Sequence, residues 1–499
     1  MTDAAHERAR IAAARTVRRD RAGRPTRADA AYLVYVGILV AAIAGVPVIR
    51  TIVLALATPA AVAAFTRPEA AMIVSVLGAL LWLGALALGR VRGPITPPPF
   101  TADVFGRSDI SPRRAWARTL TRVTVSTLVL SGAIAVLAVS GLLANGIAVE
   151  RCIAFVAGSV LFALPAVALW LAGQVFDRRG AGVLAAGLTA QLVAVLAGVP
   201  LLPASALGTL WSGTGGALPL IVLGTLAVAA VALLPVLLSR LRPDVLEAHA
   251  GRWEAMSVLA ATGDLAGAAD RTRPLPTFGR RLRITMNRPL TLAVLQRDAI
   301  GGVRTPLRLA VALVTLGLTG AAWAWLSAVE SGPRWAAAIG IGIVAFLALG
   351  ALMDGSREAA DAAGRPALHG HPPWRMLLLH LSWPTLCAVL VPAAVALGAG
   401  GEIAGAVAVF GVVLVAVRAY DTTKGPLPIE LMMPVPTPAG DASAIGMWLW
   451  QSDALLWTSA LAFGTSVALG SGPWTLVWAA PILGVLAALT VERLKRSAA

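Results

Sequence analysis

Leu295-Gln-Arg-Asp-Ala-Ile-Gly-Gly-Val-Arg-Thr-Pro-Leu-Arg308 closes the one long polar stretch of the chain and runs directly into a hydrophobic block. The stretch begins at Arg240 and holds twelve arginines and no lysine. It opens with an expected amphipathic helix from about Asp244 to Ala261, in which Val245, Leu246, Trp253, Met256 and Leu259 recur at helical spacing. Gly263-Asp264 breaks the pattern, and a basic run punctuated by Pro274 and Pro276 follows (Arg271, Arg273, Arg280, Arg281, Arg283). Six apolar blocks lie before this stretch and six after it. The simplest fold is a cytoplasmic linker between two six-helix membrane halves.

Composition agrees with that outline. The 499 residues are 58% hydrophobic and 13% charged, with a mean hydropathy of +0.79. Soluble domains carry about 25% charged residues, so the expected class is an all-α polytopic membrane protein. In a soluble chain the formal charge of +16 would point to nucleic acid. Here it fits loops lying against anionic lipid on the cytoplasmic side, and no nucleic-acid partner is expected. Cys152 and Cys387 form neither a CxxC motif nor a disulfide framework. Residues 1–29 are basic, and Ala55-Leu-Ala57 has the look of a leader-cleavage site. The basic region is long for a leader, however, and Arg50 interrupts the apolar run, so a retained first span is expected.

A helix needs about 20 apolar residues to cross a bilayer. The expected spans are 31–48, 71–90, 120–142, 148–175, 182–202, 217–239, 308–328, 334–353, 375–399, 402–419, 449–470 and 473–491. Residues 50–65 carry Arg50 and Pro59 and read as an outside loop or re-entrant segment. The organisation is then a basic tail (1–30), a first membrane half (31–239), a linker with amphipathic helices (240–307), a second half (308–491) and a short tail (492–499). With a cytoplasmic N-terminus, 37 of the 41 basic residues fall inside, and Arg50, Arg67, Arg151 and Arg334 fall outside. That asymmetry supports twelve spans, with both termini cytoplasmic in a multi-pass protein of the cytoplasmic membrane.

Two loops share a pattern. Arg92-Gly93-Pro94-Ile95, Asp109, Ser111 and Trp116 recur, 332 residues later, as Lys424-Gly425-Pro426-Leu427, Asp441, Ser443 and Trp448. The spacing suggests an internal duplication that maps spans 2, 3 and 4 onto 10, 11 and 12. That shift equals eight spans, which does not reconcile with a six-plus-six division. In each loop Gly-Pro stops a helix, Asp-x-Ser offers an N-cap and Trp suits interfacial depth. The loops are either well-built turns or a docking surface for a cytoplasmic partner.

Chemistry is sparse. A P-loop needs Lys before Ser or Thr, but Lys424 precedes Gly and Lys495 precedes Arg, so no ATP site of that kind, and no cofactor or catalytic residue, is expected. His369-Gly-His371, with Glu358 and Asp361 in the same loop, lacks a third placed ligand and suggests no metal site. His380 suits packing or a pore wall better than ligation. Ion-coupled carriers keep ionisable groups in mid-span. Here the deepest, Asp453 and Arg308, lie within a turn or two of the cytoplasmic boundary, and weakly polar Gln191, Thr189, Thr225, Ser382, Thr385, Thr465 and Ser466 remain inside.

The segment Leu295–Arg308 resembles the amphipathic lead-in to the first span of ABC-2-type exporter permeases, with Arg297, Asp298, Arg304 and Pro306 at the matching positions. Gly93-Pro94…Ser111-Pro112-Arg113-Arg114 resembles a cytoplasmic loop of such permeases. It departs from that loop because Arg113 directly follows Pro112, and Ala444 and Ile445 stand at the corresponding places in the second copy. The whole chain is similar to a group of bacterial twelve-span membrane proteins.

The resemblance implies a permease of an ATP-driven exporter, powered by a separately encoded ATP-binding cassette subunit. That subunit would dock on loops 92–118, 240–306, 354–374 and 421–447, where Glu247, Arg252, Asp264, Arg280 and Arg281 are candidate polar contacts. Two other functions compete. One is a secondary carrier of the major-facilitator type, which Gly173-Gln-Val-Phe-Asp177-Arg-Arg-Gly180 resembles in part. The other is a non-transporting scaffold or assembly protein, which predicts no polar vestibule lined by Gln191 or Thr465.

Overall fold

The computed structural model describes residues 3–21, 27–40, 42, 45–199, 202–261, 276, 278–279, 281–283, 289–328, 334–365, 370–425, 427–433, 436–437, 440–441, 443–471 and 477–498. The chain folds as two compact units, Met1–Val258 and Leu259–Ala499. The first holds α1 (Asp3–Arg21), α2 (Arg27–Val40), α3 (Val46–Leu56), α4 (Pro59–Phe65), α5 (Pro68–Val91), α6 (Pro99–Gly106), α7 (Pro112–Ala144), α8 (Val149–Val175), α9 (Arg178–Leu196), α10 (Ala206–Ser212) and α11 (Leu218–Ser239). The linker helix α12 (Pro243–Ala261) follows. The second unit holds α13 (Leu290–Arg304), α14 (Pro306–Ala328), α15 (Arg334–Leu349), α16 (Asp354–Asp361), α17 (Pro373–His380), α18 (Ser382–Ala396), α19 (Gly401–Thr422), α20 (Ser443–Ser471) and α21 (Ala479–Ala498). A two-residue antiparallel pair, Pro436–Thr437 with Gly440–Asp441, is the one strand pairing among the described residues.

Among the described residues, eight helices are long and apolar enough to cross a membrane: α5, α7, α8, α9, α11, α14, α17 with α18, and α19. Helices α15 and α16 meet that standard only together, and are bent by 69°. The protein is therefore an all-α membrane-spanning protein. Helices α20 and α21 stand where the last two spans are expected, but α21 ends in Glu492-Arg-Leu-Lys-Arg496, and Gln451 and Asp453 dilute the start of α20. The expected first span, 31–48, is not one helix. It divides between α2 and α3, because Pro47 in the first turn of α3 removes an N–H and crowds the preceding turn.

The two units share a pattern of packing, although α14 also packs on α15 and α19 on α20 where the first unit has no such extensive contacts. In the first, α3 lies on α7, α7 on α8, α8 on α11, and α5 on both α8 and α9. In the second, α14 lies on α18, α18 on α19, α19 on α21, and α15 on both α19 and α20. Each unit is thus built around its fourth long helix, α8 or α19, whose apolar windows are 50% and 67% buried against 11–33% for the other spanning helices. The crossing of the first and third helices also recurs in detail. A Cβ on Gly141 of α7 would overlap the Leu56 carbonyl of α3, and one on Gly320 of α14 would overlap the Pro392 carbonyl of α18. Small residues let backbones approach where hydrocarbon on both sides gives no hydrophobic drive.

This order relates the first unit to the second, with α3 at the place of α14. Under the 332-residue shift the packing does not match, since α5 and α7 both pack on α8, whereas α20 and α21 both pack on α19. The loop that follows α5 therefore corresponds in architecture to the loop that follows α15, and each contains a short helix, α6 or α16.

Candidate functional site

The short helix α6 hangs between α5 and α7, and three elements fix it. Gln174, at the end of α8 and 2% exposed, receives a hydrogen bond from the Ile95 backbone nitrogen (3.3 Å) and donates one to the Ile95 carbonyl (2.7 Å). The amide therefore pairs with the backbone as a neighbouring strand would. A Cβ on Gly93 would fall inside the Gln174 side chain, so glycine is required there by proximity. The Trp170 indole donates to the Arg92 carbonyl at 2.7 Å.

The linker helix α12 supplies the second element. His249, 5% exposed, accepts from the Gly93 backbone nitrogen at Nδ1 (3.3 Å), and the Gln174 amide nitrogen stands 3.3 Å from the same atom. An acceptor at Nδ1 requires a neutral ring. Burial first, then the charge of Arg252, press its pKa down to about 4, and a hydrogen bond with the Arg90 backbone works the other way. One turn further along α12, Trp253 lies under the Arg92 guanidinium at 3.7 Å.

Helix α1 is the third. Arg10 pairs with Asp109 at 2.7 Å, and Glu7 accepts from the Ser111 backbone nitrogen (2.6 Å) and pairs with Arg114. These bonds hold the half-buried Glu7 carboxyl below the usual carboxylate range. Ile11 joins the apolar cluster that contains Phe105, Ile110 and Trp116. The structure corrects two expectations here. Ser111 stands at the N-cap of α7 but its hydroxyl makes no capping bond, and Glu7 instead accepts from the backbone nitrogen of Ser111 itself. Trp116 is buried at 5% and meets Phe105 edge-on at 5.3 Å, so it is a core residue and not an interfacial one.

In the second unit, α13 stands to α16 and α17 as α1 stands to α6 and α7. Asp298 accepts from His380 Nδ1 at 2.7 Å, with the two side chains 7% and 3% exposed. Arg297 reaches His380 Nε2 at 3.2 Å and pairs with Glu358 of α16. Gly355 comes so close that a Cβ would sit 2.5 Å from both Asp298 carboxylate oxygens and from His380 Nδ1. Arg308, two residues into α14 after Pro306, grips Asp354 with two bonds of 2.5 and 3.0 Å. Among the described residues, the Arg304 side chain reaches the Leu282 carbonyl, at 3.4 Å. The fourth helix again contributes a buried polar side chain: Arg418 of α19, 7% exposed, donates to the Phe346 carbonyl near the end of α15 at 2.7 and 2.9 Å.

The second sequence repeat is built differently. Gly425 has a φ of +69° with open space around it, Ser443 is buried, and Trp448 is 59% exposed. Asp441 pairs through its backbone with Pro436, and Pro426 lies outside the described residues. Lys424 pairs with Asp453 at 2.5 Å, and Arg493 and the Tyr420 hydroxyl share the same carboxylate at 3.3 and 2.9 Å.

The motif shared in part with major-facilitator carriers has local duties: Gly173 crosses α5, Gln174 holds Ile95, and Asp177 caps α9 by accepting from Gly180 at 2.8 Å. Thr465 is fully buried and donates to Leu461 of its own helix (2.9 Å), and Gln191 stands in an apolar groove. Asp264, Arg280 and His369 lie outside the described residues.

Sequence reasoning passed over His249, Gln174 and Arg418. For His249 a signal existed, since it shares a helical face with Leu246 and Trp253. Comparison with protein-family models, curated proteins and solved structures found no match.

Proposed function

We propose that the chain is the permease of an ATP-driven exporter, with twelve spans, both termini cytoplasmic, and a motor on a separate ATP-binding subunit. One observation carries the reading. In each unit a polar helix that precedes the first span is tied to the segment between the second and third spans: α1 through Arg10 to Asp109, just after α6, and through Glu7 to Arg114 at the start of α7, and α13 through Arg297 to Glu358 on α16 and through Asp298 to His380 on α17.

A force applied at such a short helix reaches its unit by rigid contacts. Helix α6 lies between α5 and α7 in sequence, and the loop that enters it is tied to the central helix by Gln174 and to the linker by His249. Helix α16 is likewise backed by α13, and its preceding span is held by Arg418. The docking elements in this reading are loops 92–111 and 354–372, and loop 421–447 has no part in it. Gly93, Pro94, Asp109, Ser111 and Trp116 then belong to the mounting of the docking helix, and its outer face is Phe100, Asp103 and Arg107, all exposed.

Among the described residues, the buried charged groups lie on helices outside the spans, as Asp298 does on α13, or within about a turn of the end of a span, as Arg418 does, which supports a borrowed energy source over an ion relay. The test is purification of the intact chain from its native membrane, with quantification of any P-loop protein that remains bound and of its ATP hydrolysis. The reading expects a stoichiometric ATP-binding subunit, released by Phe100→Asp together with Arg107→Glu. Substrate transport by the purified chain alone in liposomes, on an ion gradient, would overturn it.

A further inference from the structure

Among the joints at which the two units differ, one leaves an opening. In the second, the fourth and fifth long helices, α19 and α20, pack directly. In the first, α9 packs on α5 but is separated from α8 by a groove of about 550 Å3, lined by Leu169 of α8, Leu184, Gly187, Leu188 and Gln191 of α9, and Leu202. The groove is wide open along one side, a shape that admits an extended chain lying along the helices and not a molecule enclosed on every side. The fold does not impose the opening, since the same packing order closes it in the other unit.

We propose that this groove binds one acyl chain of a membrane amphiphile, whose carbonyl-bearing linkage meets Gln191. The groove is continuous with the lipid-facing surface: Val183, on its wall, is 73% exposed, and Val193 and Leu196 beyond it are 59% and 56% exposed. Water needs two to four polar partners to settle in a cavity, and Gln191 is the one polar side chain on these walls. An empty groove would leave its lining without dispersion partners. Hydrocarbon drawn from the bilayer satisfies both conditions.

Gln191 then sets the class of occupant. Its amide makes no hydrogen bond among the described residues, and it lies five residues before the end of α9 at Leu196. At a rise of about 1.5 Å per residue that places it roughly 8 Å from the helix end, near enough for the linkage of a chain lying along α9 to reach the amide. A neutral amide offers both donor and acceptor, and suits an ester or amide carbonyl. Gly187, one turn earlier on the same face, has open space where a side chain would be. This proposal is independent of the exporter reading, because it concerns occupancy and not transport.

The experiment uses the full chain in phosphatidylcholine liposomes doped with a phosphatidylcholine that carries a diazirine at mid-chain, with adducts mapped by mass spectrometry after illumination. Adducts are expected on residues 183–194 at several times the density on Val344 and Leu347 of α15, which are 46% and 61% exposed. Gly187→Trp, which fills the groove, is expected to cut labelling of α9 at least fivefold and leave α15 unchanged. Ala190→Trp serves as a second block if the first variant melts early. Gln191→Leu is expected to lower labelling by the ester-linked probe but not by its ether-linked analogue. Equal labelling of α9 and α15, or labelling that survives both blocks, overturns the site, and equal response of the two probes to Gln191→Leu overturns the role of the amide.

Discussion

The Nδ1 atom of His249 lies 3.3 Å from the backbone nitrogen of Gly93, so one imidazole joins the linker helix α12 to the loop after α5. The joint works only while that nitrogen is unprotonated. With a pKa pressed down to about 4, from 6.5, the ring binds fewer protons docked than undocked between those values. Its contribution is therefore complete above pH 6.5 and is lost as pH falls toward 4. Hydrogen exchange of residues 243–256, corrected for intrinsic rates, should be faster at pH 5 than at pH 7.5. His249→Ala should exchange fast at both. A wild-type rate indifferent to pH would show that the imidazole does not hold α12.

Gln174 and Gly93 form a lock of amide and void. Gln174→Leu strands the buried N–H and C=O of Ile95, at a cost of about 1–3 kcal/mol. Gly93→Ala inserts a methyl group into the amide and should cost a similar 1–3 kcal/mol through overpacking. Because each variant spoils the same contact, the double variant should lose less than the sum. Thermal unfolding of the three proteins in one detergent measures this, and strict additivity would deny the lock.

The Asp298–His380 pair should respond to the loss of its acceptor. Asp298→Ala leaves the Nδ1–H of His380 unpaired at 3% exposure, worth about 1–3 kcal/mol, whereas Asp298→Asn keeps an acceptor and should cost less. Amide exchange across α13 reads the effect locally. Protection in Asp298→Ala equal to that of the wild type would mean that α13 is held by other contacts.

Gly141 and Gly320 hold equivalent crossings, so their alanine variants should behave alike. Each methyl group would meet a backbone carbonyl that has no rotamer to move, and a loss of about 1–3 kcal/mol is expected. Gly340 of α15 has open space, and Gly340→Ala should be neutral or gain up to about 1 kcal/mol from helix propensity. Melting temperatures of the three variants test the contrast.

Much of this architecture was legible in the chain, because spans are long apolar runs and the linker is a polar interruption between them. The boundary of the first helix was not, since Pro47 stands inside an apolar run whose mean hydropathy hides it. The lead-in segment also announced itself: Arg297 and Asp298 are charges placed beside a span, and both found partners. The repeat was misleading. Gly-Pro, Asp-x-Ser and Trp recur 332 residues apart, yet Trp116 is core and Trp448 is exposed. The recurrence between the units is written in packing, where a glycine opposite a carbonyl in one unit is matched by another glycine opposite another carbonyl, and no shared motif marks it. Gln174 was equally silent, because a lone amide at the end of a span carries no periodic signal.

The recurrence of one helix order in both units also separates their fates. Each unit supplies the neighbours its own helices need, so a change at one joint is not copied to the other. Helices α19 and α20 share a seam where α8 and α9 leave a groove, and the central helix of the first unit is packed all the same against α5, α7 and α11. A doubled scaffold of this kind is free to specialise one copy while its sibling preserves the common frame.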